Sequence, residues 1–179
     1  MPRADSFATP LGRIPIDRLA LDRARSLPGV IEDDSAHAME HSLEVQLPFL
    51  QRVLGSFTLA PFAVGDARIE DVAGVIEALA GGDETLVVIS SDLSHYHPYP
   101  IATQIDSATV ERIRSMRSDI DHDQACGATP INGALRWARR HGLQVELLDL
   151  RNSGDTSGDR SRVVGYAAFA FYRDSAHEQ

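Results

Sequence analysis

Apolar residues recur along the chain with two alternating periods, and these predict the elements. Residues 13–16 read as a short strand end. Asp17 follows as an N-cap for a helix carrying Leu19, Leu21 and Ala24 up to Pro28-Gly29. Val30 to Asp34 reads as an extended or turn segment. From Ser42, the positions Leu43, Val45, Leu47, Leu50, Val53 and Leu54 support a second helix, which Pro48 kinks or splits and Gly55 closes. Phe57 to Val64 reads as a strand, and Ile69 to Ala80 as an amphipathic helix ending at Gly81-Gly82.

The run Thr85-Leu-Val-Val-Ile-Ser-Ser91 is β-branched and continuous, the pattern of a strand buried on both faces of a parallel or mixed sheet. Chemistry gathers where such strands end. Helices around Ile101 to Ile120 and Ile131 to His141, with strands at Val145 to Leu150 and Val163 to Tyr172, complete an alternating α/β order. Between the last two strands, Asn152 to Asp159 (NSGDTSGD) reads as a flexible surface turn.

Composition narrows the classes. With 179 residues and 43% hydrophobic content, the chain suits a single domain over 1–179 with a real core. Its 26 acidic residues outnumber 17 basic ones for a net charge of -9, without an arginine cluster, so nucleic acid is not an expected partner. All 17 basic residues are arginine, which removes Schiff-base and P-loop lysine chemistry. One cysteine allows no intramolecular disulfide, and MPRADSFATPLGR has neither a basic nor an apolar leader region. The longest apolar run, Val163 to Tyr172, is too short to span a bilayer as a helix. The expectation is a cytoplasmic protein with no membrane association.

Three polar clusters carry candidate chemistry. In HAMEHSLE, His37 to His41 satisfies the H-x-x-E-H pattern of zinc hydrolases, where two imidazoles on one helical face hold the metal. Such a site also needs a third ligand, and Asp33-Asp34-Ser35 suggests that the segment starts as a loop; the plainer reading has His41 and Glu44 satisfying backbone groups at a helix start. In SSDLSHYH, Asp92 and His95 form an acid/base pair after the expected buried strand, because a neighbouring carboxylate orients an imidazole; the plainer reading is a capped turn, and His97 reads as a loop residue. In ACGATP, Cys126 precedes a helix start, where a thiol can ligate a metal, although a lone cysteine is commonly a small buried hydrophobe.

Taken in order, EHSLEVQLPFL, VVISSDLSHY, ACGATPINGAL and NSGDTSGDRSRVVGYAAFAF resemble the Memo family, also called AmmeMemoRadiSam system protein B, from about Thr9 to Tyr172. That family is similar to LigB-type class III extradiol dioxygenases. The resemblance implies a three-layer sandwich around a central mixed sheet and a non-haem Fe(II) site, with zinc or copper as alternative metals. It further implies that Cys126 is a metal ligand, that His95 is the acid/base group beside Asp92, and that His41 and Glu44 line the same pocket, with His37 incidental. The family's His-Ala-Gly-Tyr and Gly-x-x-His motifs, which supply two metal histidines, have no counterpart here, so the expectation is an N-terminally truncated fold with an incomplete, weakly binding metal site. By resemblance the function is an extradiol-dioxygenase-like oxidoreductase acting on a small molecule. The alternative is a non-catalytic accessory module working beside radical SAM and AMMECR-type proteins. Three explanations stay open: the sequence is a piece of a longer protein, a homo-oligomer or partner chain completes the site, or the chain is a reduced member that lost the metal chemistry.

Overall fold

The computed structural model describes residues 1–82 and 84–173. The chain is a mixed α/β protein that divides into two compact units, residues 1–67 with 74–90, and 68–73 with 91 onward.

The first unit opens with a hairpin of β1 (Ser6–Thr9) and β2 (Gly12–Pro15), paired antiparallel from Ser6↔Pro15 to Thr9↔Gly12. Gly12 sits at φ +125°, a conformation that costs a residue with a side chain dearly, and the Leu11 N–H donates to Thr9 Oγ1 within the turn. Asp17 caps α1 (Arg18–Ala24) as expected, its carboxylate accepting the Ala20 N–H at 2.9 Å, an arrangement that stabilises a helix by about 1 kcal/mol. Leu21 and Ala24 turn inward, and Leu21 joins Met1 and Ile16 in a core flanked by Phe7, Leu59 and Phe62. A four-residue helix, α2 (Ser35–Ala38), precedes α3 (Leu47–Leu54). Pro48 lies in the first turn of α3, where its missing N–H costs nothing; the proline starts this helix and does not kink it. Gly55 ends it, as expected, at positive φ.

Two expected strands are absent. Phe57–Val64 contributes a single parallel bridge, Leu59 to Ile16. The reason lies two residues on: Pro61 has no N–H to donate to a ladder. Thr85–Ser91 is not a strand either. Its run is exposed, with Leu86 at 61% and Val88 at 45%, and among the described residues no backbone hydrogen bond joins 86–90 to another segment. β-Branched side chains favour a pleated, packed surface but do not supply the neighbouring strand.

α4 (Ile69–Leu79) falls where its periodicity predicts and spans the boundary between the units. The second unit is built on a three-stranded antiparallel sheet of order β3-β5-β4, from β3 (His95–His97), β4 (Gln144–Asn152) and β5 (Val163–Tyr172). β4 and β5 match expectation and pair from Gln144↔Tyr172 to Asn152↔Gly165. α5 (Tyr99–Arg114) and α6 (Ala128–Arg140) supply the helical layer. α5 buries Ala102, Asp106, Thr109, Val110 and Ile113, a stripe at helical spacing. Ile113, Ile120 and Leu135, each at most 4% exposed, contribute about 1.5–3 kcal/mol apiece by burial. That outweighs the exposed ion pairs of this unit, each worth at most about 1 kcal/mol.

The expected flexible turn after β4 is instead a short helix, α7 (Ser153–Ser157). Asn152 and Asp155 form a reciprocal capping box, and Asn152 is only 4% exposed. No described helix is long and apolar enough to cross a membrane.

Candidate functional site

In the second unit, the segment after residue 90 is held on β5 by two backbone hydrogen bonds of 2.9 Å, Leu93 N–H to the Gly165 carbonyl and Gly165 N–H to the Ser94 carbonyl. Leu93 is buried in the core, and the Ser94 N–H donates to Asp106 Oδ1 at 3.0 Å. Asp92 and His95 flank this anchored pair. His95 Nε2 lies 3.5 Å from Asp92 Oδ2, an ion-pair contact looser than a made hydrogen bond, with both side chains part-exposed.

Cys126 arrives on a different segment. The turn from Asp121 is closed by the Gln124 and Ala125 N–H groups on the Asp121 carbonyl. It is pinned from behind by the buried Asn132, which accepts the Ile120 N–H at 3.0 Å and donates to the Ile120 carbonyl at 2.7 Å. The His122 ring bridges the Cys126 carbonyl at 3.1 Å and the Thr129 hydroxyl at 3.2 Å. The result places the thiol against Asp92, whose backbone N–H donates to Sγ at 3.4 Å. Within this unit Asp92 therefore touches His95 through its side chain and Cys126, 34 residues on, through its backbone.

β3 carries a local distortion at this place. Tyr96 has φ +61°, a genuine outlier for a bulky residue, and the pairing slips between His95↔Val164 and His97↔Val163. His97 is thus a strand residue, contrary to the loop expected. His95 and His97 line a cleft of about 810 Å³, together with Ile105, Ala108, His122 and Gln124 among others. Burial pushes the Asp106 carboxyl up, partly offset by the Ser94 hydrogen bonds and the charges of His97 and His95. Burial, helped by the Asp92 charge, pushes the Tyr166 phenol up.

His41 and Glu44 belong to the first unit, where His41 Nδ1 and Glu44 Oε1 pair at 2.6 Å in an exposed contact. α2 ends at Ala38, so His37 and His41 do not share a helical face and the zinc-hydrolase geometry is not formed. His37 instead packs edge-on against Phe7, with centroids 5.8 Å apart.

An extradiol-type iron site takes three side-chain ligands. Among the described residues no group of three His, Cys, Asp or Glu side chains is placed to hold a metal. The neighbours of the Cys126 sulfur are a backbone N–H, a hydroxyl and a carbonyl. This set does not fit the metal. Sequence reasoning missed Ser91, Asp106 and His122. A hydroxyl beside Asp92 and a histidine four residues before Cys126 were visible in the sequence; the burial of Asp106 was not.

The chain matches the family model described as Memo-like protein over residues 2–170. It is 37% identical over 182 residues to a MEMO1 family protein of Ignicoccus hospitalis, an alignment covering 92% of this chain and 63% of the relative. It is likewise 37% identical over 183 residues to a MEMO1 family protein of Methanopyrus kandleri, covering 94% and 65%. A MEMO1 family protein of Archaeoglobus fulgidus is 34% identical over 181 residues, covering 93% and 68%. The chain thus spans somewhat under two thirds of the length of the first two relatives.

Proposed function

The chain belongs to the Memo family, and on that premise we propose that its second unit carries the proton-handling part of a small-molecule site like that of LigB-type extradiol dioxygenases. The finer fold in this reading is the three-layer sandwich of those enzymes. One observation carries the proposal: Asp92 contacts His95 through its carboxylate and Cys126 through its backbone N–H. A hydroxylated ring entering the cleft meets the His95 imidazole, whose Nδ1 takes a hydroxyl proton while Asp92, on the Nε2 side, steadies the imidazolium. Ile105 and Ala108 offer the ring an apolar wall. Asp92 and His95 are the acid/base pair and Cys126 the adjoining thiol. Oxidation of a substrate, with Fe(II), zinc or copper at Cys126, is a property proposed only for an assembly that supplies further ligands.

The test is titration of the purified chain with catechol, followed by ligand-detected NMR. Wild type should bind, His95→Ala should weaken binding about tenfold, and Asp92→Asn should weaken it less. Unchanged affinity in His95→Ala sinks the reading. In parallel, the chain is loaded anaerobically with Fe(II) and desalted. Near-stoichiometric iron lost in Cys126→Ser would overturn the incomplete metal site.

The exposed run Leu86-Val87-Val88 favours a second reading, an accessory module docking on a partner such as a radical SAM or AMMECR-type protein, or on a second copy. Sedimentation separates the readings: self-association abolished by Val87→Asp supports a second copy.

A further inference from the structure

Ser91 has one hydroxyl and spends all of it at the junction between the two segments of the site. Its O–H donates to the Asp92 carbonyl at 2.7 Å, and its oxygen accepts the Gly127 N–H at 2.8 Å. The same oxygen lies 3.5 Å from Cys126 Sγ. A hydroxyl carries one proton and two acceptor sites, so these three contacts exhaust it. Gly127 is the N-cap of α6, so the contact ties the front of that helix to the segment bearing Asp92. Without the Ser91 oxygen, the Gly127 N–H loses its acceptor and the sulfur keeps only the Asp92 backbone.

We propose that Ser91 is the positioning residue of this site, its hydroxyl fixing the Cys126 sulfur against the Asp92 backbone. The inference rests on the pairing of Asp92 with Cys126 in the reading above, but its test uses no bound ligand. Failure of catechol binding therefore leaves it standing, and its own failure leaves that binding untouched.

Cys126 is the only cysteine, so thiol loss reports a single atom. The rates of alkylation by neutral iodoacetamide and by anionic iodoacetate are measured, and their ratio is taken for the folded chain and for the chain in urea. A sulfur seated on the Asp92 N–H lies within a Debye length of that residue's side-chain charge, which repels the anionic reagent and should raise the folded ratio by about two- to fivefold over the unfolded one. Ser91→Ala should bring the ratio down to the unfolded value, Ser91→Thr should keep it, and Asp92→Asn should remove it with Ser91 intact. A change in global stability alone does not move the ratio while the chain stays folded. A wild-type ratio equal to the unfolded one, an unchanged ratio in Ser91→Ala, or no retention in Ser91→Thr each overturns the proposal. If Ser91→Ala does not fold, native-state hydrogen exchange on the unmodified chain decides. Protection of the Gly127 amide supports the bridge, and exchange at the rate of a free loop overturns it.

Discussion

Replacing Gly165 by alanine tests whether the site segment hangs on β5 as described. A Cβ at Gly165 would overlap Asp106 Oδ2 and lie 2.5 Å from its Cγ, closer than real atoms approach. Asp106 is only 2% exposed and has no open side to retreat into. Relief has two routes. If the carboxylate swings away, the buried Ser94 N–H loses its acceptor, a loss of about 1–3 kcal/mol. If β5 shifts, both 2.9 Å bonds between Gly165 and the Leu93-Ser94 pair stretch, with an overpacking cost of about 1–3 kcal/mol. Either route, with residual strain from the other, gives an expected loss of about 2–4 kcal/mol. The assay is urea unfolding followed by fluorescence of Trp137, the single tryptophan, which lies in the second unit. Asp106→Ala removes the atoms that clash, so in that background Gly165→Ala should cost less than about 1 kcal/mol. A loss below about 0.5 kcal/mol in the wild-type background, or equal losses in both, would refute the reasoning.

Asn132→Asp keeps the acceptor for the Ile120 N–H but sets a carboxylate oxygen against the Ile120 carbonyl; about 2–4 kcal/mol should be lost at pH 7, less at pH 5, by urea unfolding. Asp106→Asn addresses pH. Burial raises the Asp106 carboxyl above its ordinary 3.8, so this group holds its proton to higher pH in the folded chain than in the unfolded one, and its contribution to stability falls as pH rises through that window. The stability difference between Asp106→Asn and wild type should therefore shift in favour of the variant from pH 4 to pH 7; a constant difference refutes it.

Local signals with a built-in stereochemical partner were legible. Asp17 caps the N–H of Ala20 three residues on, Gly55 ends a helix, and Val163–Tyr172 pairs with a strand close by in sequence. Signals that need a distant partner were not. Thr85–Ser91 states what it would pack against, not whether that neighbour exists. Pro61 breaks the expected strand by a rule available from sequence, and Asn152-Ser-Gly-Asp155 is a capping-box spacing read too readily as a loose turn. Asp92, His95 and Cys126 were each visible as residue types. Their grouping was expected from the family resemblance; the contacts that hold the segments, through Ser91 and a carboxylate buried in mid-helix, are marked by no periodicity.

The sheet order β3-β5-β4 also bears on the chain's birth at the ribosome. β5 is the central strand and the last described element, so neither β3 nor β4 has its ladder until residues 163–172 have emerged. At about 5–20 residues per second, the segment bearing Asp92 and His95 waits several seconds for the strand that anchors it. The hairpin Ser6–Pro15 and α1 depend only on near neighbours and can form long before. A ribosome that stalls before Val163 would leave the first unit's local elements in place and release a second unit with no sheet, no support for Leu93 and Ser94, and a thiol without a fixed address.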